Sequence, residues 1–344
     1  MSDQSLPFDN RTPRHSADQA NARGSSAHPH SYPLLVRDHG LMTSWGLLMR
    51  SLPYVMARMG VLLFFATLSA IWLLVAFGGA AWIGTAISTT FGIVWLVPWL
   101  IAGGWIWGTI ARYSLHLIAC GHVAVLTQLI TFGTAGPAGE SQFSYGRRVV
   151  VERFGQVTAL FAFSALVKGV LETFHRTLDS FGEMLSIPGI SSITSILDAI
   201  AKAATRYIDK VILSYTLARN DGEPWRDAQD GIVYYCQNAT AILKTSVWMV
   251  VVEKLISFLL FGVAFAVAAF FVVLMPESVR EWGAAVTLCL AFIFTAIIRS
   301  AFLKPLFLVS MLVRFHALVE NQQLNTQWSD YLDRLTPDFA RGGR

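Results

Sequence analysis

Apolar residues do not alternate evenly along this chain; they gather into long uninterrupted runs separated by basic, polar segments. The longest run goes from Met59 to Ala111 and contains no Asp, Glu, Lys or Arg. A membrane span needs roughly 20 apolar residues, so this run predicts two spans, at 58–79 and 88–111. Gly78, Gly79 and Gly84 loosen the chain between them. Pro98 falls inside the second and removes one backbone donor, which predicts a kink. Two further runs, 246–274 and 283–303, are separated by Met275-Pro276 and predict another pair.

Other segments carry weaker patterns. Residues 112–130 are apolar but interrupted by His, Ser, Gln and Gly121, which predicts a helix on the membrane surface rather than a full span. Residues 131–140 are a Gly/Pro loop. Residues 154–174 read as a fifth candidate span, with Lys168 and Glu172 near its end. After the break at Pro188-Gly189, residues 190–217 are strongly periodic. Asp198, Lys202, Arg206 and Lys210 recur every fourth position with Asp209 beside them, and Ile, Leu, Ala and Tyr fill the other face. That spacing predicts an amphipathic helix. It either lies among the headgroups or spans with its charged stripe toward protein or a wet lumen. A short helix is expected near 224–241. No internal repeat is convincing enough in the sequence to claim.

The expected fold is an all-α polytopic membrane protein. Four spans stand on apolar length alone, and six are expected if 154–174 and 190–217 form an in-out-in hairpin. Amphipathic surface helices accompany them. The domain reading is a disordered cytoplasmic tail at 1–33, a membrane pair at 34–111 and an interfacial segment at 112–153. A C-terminal membrane region follows at 154–315, then a cytoplasmic tail at 316–344.

Composition agrees with this class. Hydrophobic residues make up 54% and charged residues 14% of 344, and the mean hydropathy is +0.51. Soluble domains carry roughly 25% charge, so a soluble enzyme and a disordered chain are both excluded. The net charge of +4 reports basic loops, not nucleic-acid binding. Lys and Arg crowd segments 1–58, 112–153, 202–245 and 299–344, whereas loops 80–87 and 275–282 share a single Arg280. The positive-inside rule then places both termini in the cytoplasm, in a plasma or inner membrane. Three separated cysteines, Cys120, Cys236 and Cys289, suggest no disulfide framework.

Candidate chemistry is sparse. Glu253 and Lys254 lie about two turns inside one span, and Arg299 lies near the inner end of the next. Joined by a short loop, these helices run antiparallel, which puts Glu253 and Arg299 at similar depth. Intramembrane charge costs on the order of 2.5–3.5 kcal/mol at a helix centre, so Glu253 is expected to pair with Arg299 or Lys304. The pair either gates an ion or pins two helices. With Asp198, Lys202, Arg206, Asp209 and Lys210, these residues form the candidate pore or charge network. The plainer reading of the stripe is Lys and Arg at lipid phosphates. His116, Cys120 and His122 lie close together in sequence, but 122 leaves the face shared by the other two. Metal, cofactors and catalysis are not expected: no HExxH, GxSxG or phosphate-loop pattern occurs. Trp95, Trp99, Trp105 and Trp107 could cage a quaternary ammonium, or could face lipid.

The stretches RYIDKVILSYTLARN (206–220), DAQDGIVYYCQNATAILKTSVWMVVVEKL (227–255) and AIIRSAFLKPLFLVSMLVRF (296–315) resemble in layout the C-terminal half of the choline transporter-like family. The resemblance lies in an amphipathic helix, a short cytoplasmic helix, an Asn-containing approach and a closing pair of spans. It implies an all-helical membrane protein that moves a small cation or lipid precursor. The N-terminal half is shorter than that family's and lacks its large extracellular loop, and no substrate-binding residue is carried over. Two functions follow as expectations: a transporter or channel-like protein for a small solute, or a non-catalytic scaffold or accessory subunit of a membrane complex. Its partners would be the bilayer, protein partners and further copies of itself, because few spans are present for an alternating-access transporter.

Overall fold

The computed structural model describes residues 32–154, 207–219 and 224–325, and every element among them is helical. In chain order these are α1 (Leu41–Arg50), α2 (Leu52–Ala86), α3 (Thr89–Ile106), α4 (Arg112–Phe132) and α5 (Gln142–Phe154). Then come α6 (Ile208–Arg219), α7 (Pro224–Gln237), α8 (Ala239–Val273), α9 (Glu277–Ile298) and α10 (Lys304–Val319). Five-residue π-helical segments, Trp107–Ala111 and Arg299–Leu303, join α3 to α4 and α9 to α10. Each pair is thus one continuous rod.

Among the described residues, four helical rods are long and apolar enough to cross a membrane: Leu52–Ala86, Thr89–Phe132, Ala239–Val273 and Glu277–Val319. A 35-residue helix such as α2 is about 52 Å long, well beyond a hydrocarbon core of about 30 Å. The rods therefore divide into two parts. Their outer parts form two projecting hairpins, or arms. Only 17% of the most apolar stretch of Leu52–Ala86 and 6% of that of Ala239–Val273 are buried. Leu74, Ile101, Phe258 and Phe270 are among the large apolar side chains left exposed there. Their inner parts sink into a helical base with α1, α5, α6 and α7. There Leu48, Leu126, Ile208, Tyr215, Tyr234, Phe307 and Phe315 are almost completely buried and belong to one core.

Residues 112–130 are therefore not a surface helix. They continue the second rod into the helical base and are buried from Ala119 to Thr127. The buried His122 and Thr127 can enter a core because each finds a partner there, as described below. The apolar start of the C-terminal segment behaves likewise, since α10 is buried along most of its length. Of the periodic segment 190–217, the described end from Ile208 is also core: Ile208, Asp209 and Val211 to Thr216 are buried. The candidate span 154–174 and the rest of 190–217 lie outside the described residues, almost entirely.

The described elements recur. Helix α1, a one-residue break at Ser51, the 35-residue α2, a short turn and a 44-residue rod with a π segment make the first set. Helix α7, a one-residue break at Asn238, the 35-residue α8, a short turn and a 43-residue rod with a π segment make the second. The repeat absent from the sequence is present in the architecture.

Inside the first arm, small residues permit close packing. A Cβ on Gly92 would lie 2.6 Å from the Ala80 carbonyl oxygen, and one on Gly103 would lie 2.8 Å from Trp72 Nε1. Close helix approach through small residues is the usual basis of packing in lipid. Trp72 donates through Nε1 to the Trp99 carbonyl at 2.9 Å, and its ring meets Trp99 edge-on at 4.8 Å between centroids. Trp95 packs against Trp99, whereas Trp105 is exposed and Trp107 lies edge-on to Phe65. The four tryptophans named above do not converge into a cage. The second arm closes on Phe261 and Phe292, 4.6 Å apart.

Candidate functional site

The polar residues that matter collect where arms meet base. Glu253 on α8 is buried, and Arg299 opens the second π segment. Arg299 reaches the same carboxylate oxygen, Oε1, with Nε at 2.8 Å and Nη2 at 2.7 Å. The equal depths inferred from the short hairpin place the pair together. Lys304 begins α10 five residues later.

Among the described members of the expected network, two pair elsewhere. Asp209 and Lys210 pair with each other on α6, in the base, with the Asp209 side chain fully buried. Asp198, Lys202 and Arg206 lie outside the described residues. His116 Nε2 is 3.5 Å from Cys120 Sγ, but His122 turns elsewhere. It hydrogen-bonds Ser51 Oγ at 2.8 Å and stacks on Tyr54 at 5.4 Å. Among the described residues no three His, Cys, Asp or Glu side chains converge in a way that could hold a metal.

Two constellations escape sequence reasoning. The first is a chain of buried hydroxyls and imidazole: Tyr32 Oη to His316 Nδ1 at 2.8 Å, His316 Nε2 to Ser214 Oγ at 2.8 Å, and Ser214 Oγ to Thr127 Oγ1 at 2.7 Å. Residues 32, 127, 214 and 316 are too far apart in sequence to signal this. It resembles a nucleophile and base in composition only. His316 and Ser214 are completely buried, so substrate cannot reach them, and the chain fastens the N-terminal segment, α4, α6 and α10 together. Burial raises the Tyr32 hydroxyl well above its ordinary range. Nearby, Arg219 contacts Asp227 at 3.1 Å and Asp230 at 3.0 Å. Burial opposes its charge, but the Tyr215 hydroxyl and the two carboxylates more than offset this and raise its pKa.

The second is a basic pocket of about 590 Å³ between the start of α8, the end of α10 and the residues leading into α1. His39, Lys244 and Arg314 line it with Thr240, Ser310 and Trp248. Burial and the neighbouring Arg314 charge hold the His39 imidazole below its ordinary value.

Compared with known protein families, with curated proteins and with solved structures, the chain matches none.

Proposed function

We propose that this chain is a non-catalytic membrane scaffold or accessory subunit, anchored by its two arms, with the base on the cytoplasmic side. One observation carries the reading: the described arms are closed by apolar contacts, Trp72–Trp99 and Phe261–Phe292, while the buried polar groups gather in the base. A solute path needs polar groups along the arm interiors, and the Glu253–Arg299 pair at the root of the second arm is mutually neutralised. The base side is assigned to the cytoplasm by the Lys and Arg counts at the rod ends. A plasma or inner membrane, six spans, and assembly with partner subunits or with further copies belong to the same proposal.

The second reading is transport of a small solute, such as an organic cation or lipid precursor. It is favoured by the Glu253–Arg299 pair at the root of the second arm and by the layout shared with the choline transporter-like family. Flux into proteoliposomes separates the two. The scaffold reading expects no saturable uptake of choline, sodium or potassium above protein-free vesicles. Saturable uptake that disappears in E253Q would overturn it in favour of transport.

A further inference from the structure

Among the described residues, none that lines the basic pocket is acidic. Neither Lys244 nor Arg314 has a carboxylate partner among the described residues. The Nε of Arg314 is buried without a hydrogen-bond partner. A buried guanidinium nitrogen left unpaired costs stability unless something supplies an acceptor. Asp38, beside the pocket's His39 in sequence, is engaged elsewhere: its carboxylate accepts from the Gly40 amide at 2.9 Å and from the Thr43 hydroxyl. The pocket also contains Thr240 and Ala241, in the first turn of the 35-residue α8. The amides of a helix's first turn have no intrahelical acceptor and favour anions. Arg314, Lys244 and the first turn of α8 thus line one space.

Its depth is marked by aromatic and apolar neighbours. Trp248, on its wall, is 61% exposed at the point where the bare apolar surface of α8 begins. Leu41, Met42 and Trp45 of α1 are exposed beside it. Tryptophans and an apolar helix face at this position are the signature of the headgroup layer. The corresponding place in the first arm is closed by the stack of Tyr54 on His122, with Phe143 against it.

We propose that this pocket binds a phosphate-bearing anion, with Arg314, Lys244 and the α8 amides as its ligands and an anionic lipid headgroup as the expected source. Arg314 supplies Nε from within, Lys244 closes over from the exposed side, and Trp248 packs along the glycerol backbone. The proposal does not depend on whether the chain is a scaffold or a transporter.

Native mass spectrometry of the full-length protein in a neutral detergent tests it. Phosphatidylglycerol, phosphatidylcholine and inorganic phosphate are added separately. Phosphatidylglycerol adducts should be retained in preference to phosphatidylcholine, and retention should fall about tenfold in K244Q/R314Q. R314K should keep part of it. A thermal melt of each variant confirms folding, and K244Q alone, at an exposed position, gives the same direction where R314Q fails to fold. Phosphate binding that competes with the lipid and is lost in the same variants supports the anion site with a soluble source. Equal retention of both lipids with no bound phosphate, or retention unchanged in folded K244Q and K244Q/R314Q, overturns it.

Discussion

Arg299 places two nitrogens, Nε and Nη2, on a single carboxylate oxygen of Glu253, at 2.8 and 2.7 Å. Removing Arg299 strands the buried Glu253 carboxylate, which costs about 3 kcal/mol, whereas removing Glu253 leaves a partly exposed Arg299 and costs less. E253Q and R299Q should therefore each lower the melting temperature in detergent, and the exchange E253R/R299E should recover a substantial part of the loss. If the exchanged protein melts no higher than E253Q or R299Q, the pair does not hold the rods together.

His316 supports hydroxyls on both sides. H316A leaves the Tyr32 and Ser214 hydroxyls of a dry core without their shared partner, at a cost of about 2–4 kcal/mol. Chemical denaturation should show this loss, and a cycle with S214A should be non-additive because the two residues are in contact. Additive losses would mean that the imidazole acts through packing alone.

Two glycines of the first arm should respond differently. Gly92 has the Ala80 carbonyl oxygen 2.6 Å from where a Cβ would stand, and Gly104 has nothing within 4 Å. G92A should cost about 1–3 kcal/mol by forcing the arm's helices apart, while G104A should stay within about 0.5 kcal/mol. Thermal melts of the two variants side by side decide it, and equal stability would rule out tight packing at Gly92.

His39 gives the base a modest pH dependence. Its pKa is depressed by burial and by Arg314, with Asp38 acting weakly in the other direction. As the pH falls below about 6.5, the unfolded chain takes up a proton before the folded one does. The stability associated with neutral His39 is complete above that pH and declines as the pH drops toward the folded-state value. Between pH 7.5 and 5.5 the wild type should lose more melting temperature than H39Q. Parallel slopes would remove His39 from the account.

What the sequence made legible was whatever is local. The uncharged run 59–111 and the runs near 246–303 give the arms, because apolar length alone marks a span. The Glu253–Arg299 pair was reachable because a short hairpin fixes relative depth. Residues 112–130 misled, since His122 and Thr127 look unsuited to burial until Ser51 and Ser214 supply their partners. The basic pocket was illegible for the same reason, with His39, Lys244 and Arg314 far apart in the chain. The repeated architecture also escaped notice. It is kept in element lengths and π segments, not in side chains.

The two π segments carry a consequence for phase. A π turn accommodates an extra residue within a continuous helix, and each residue turns an α-helix by about 100°. Trp107–Ala111 and Arg299–Leu303 therefore reset which side of each rod faces inward just where it passes from arm to base. The apolar pattern that suits lipid outside and the pattern that suits the core inside need not share one stripe. Each segment acts as a one-residue spacer, letting the membrane-facing and core-facing halves of a single helix change independently.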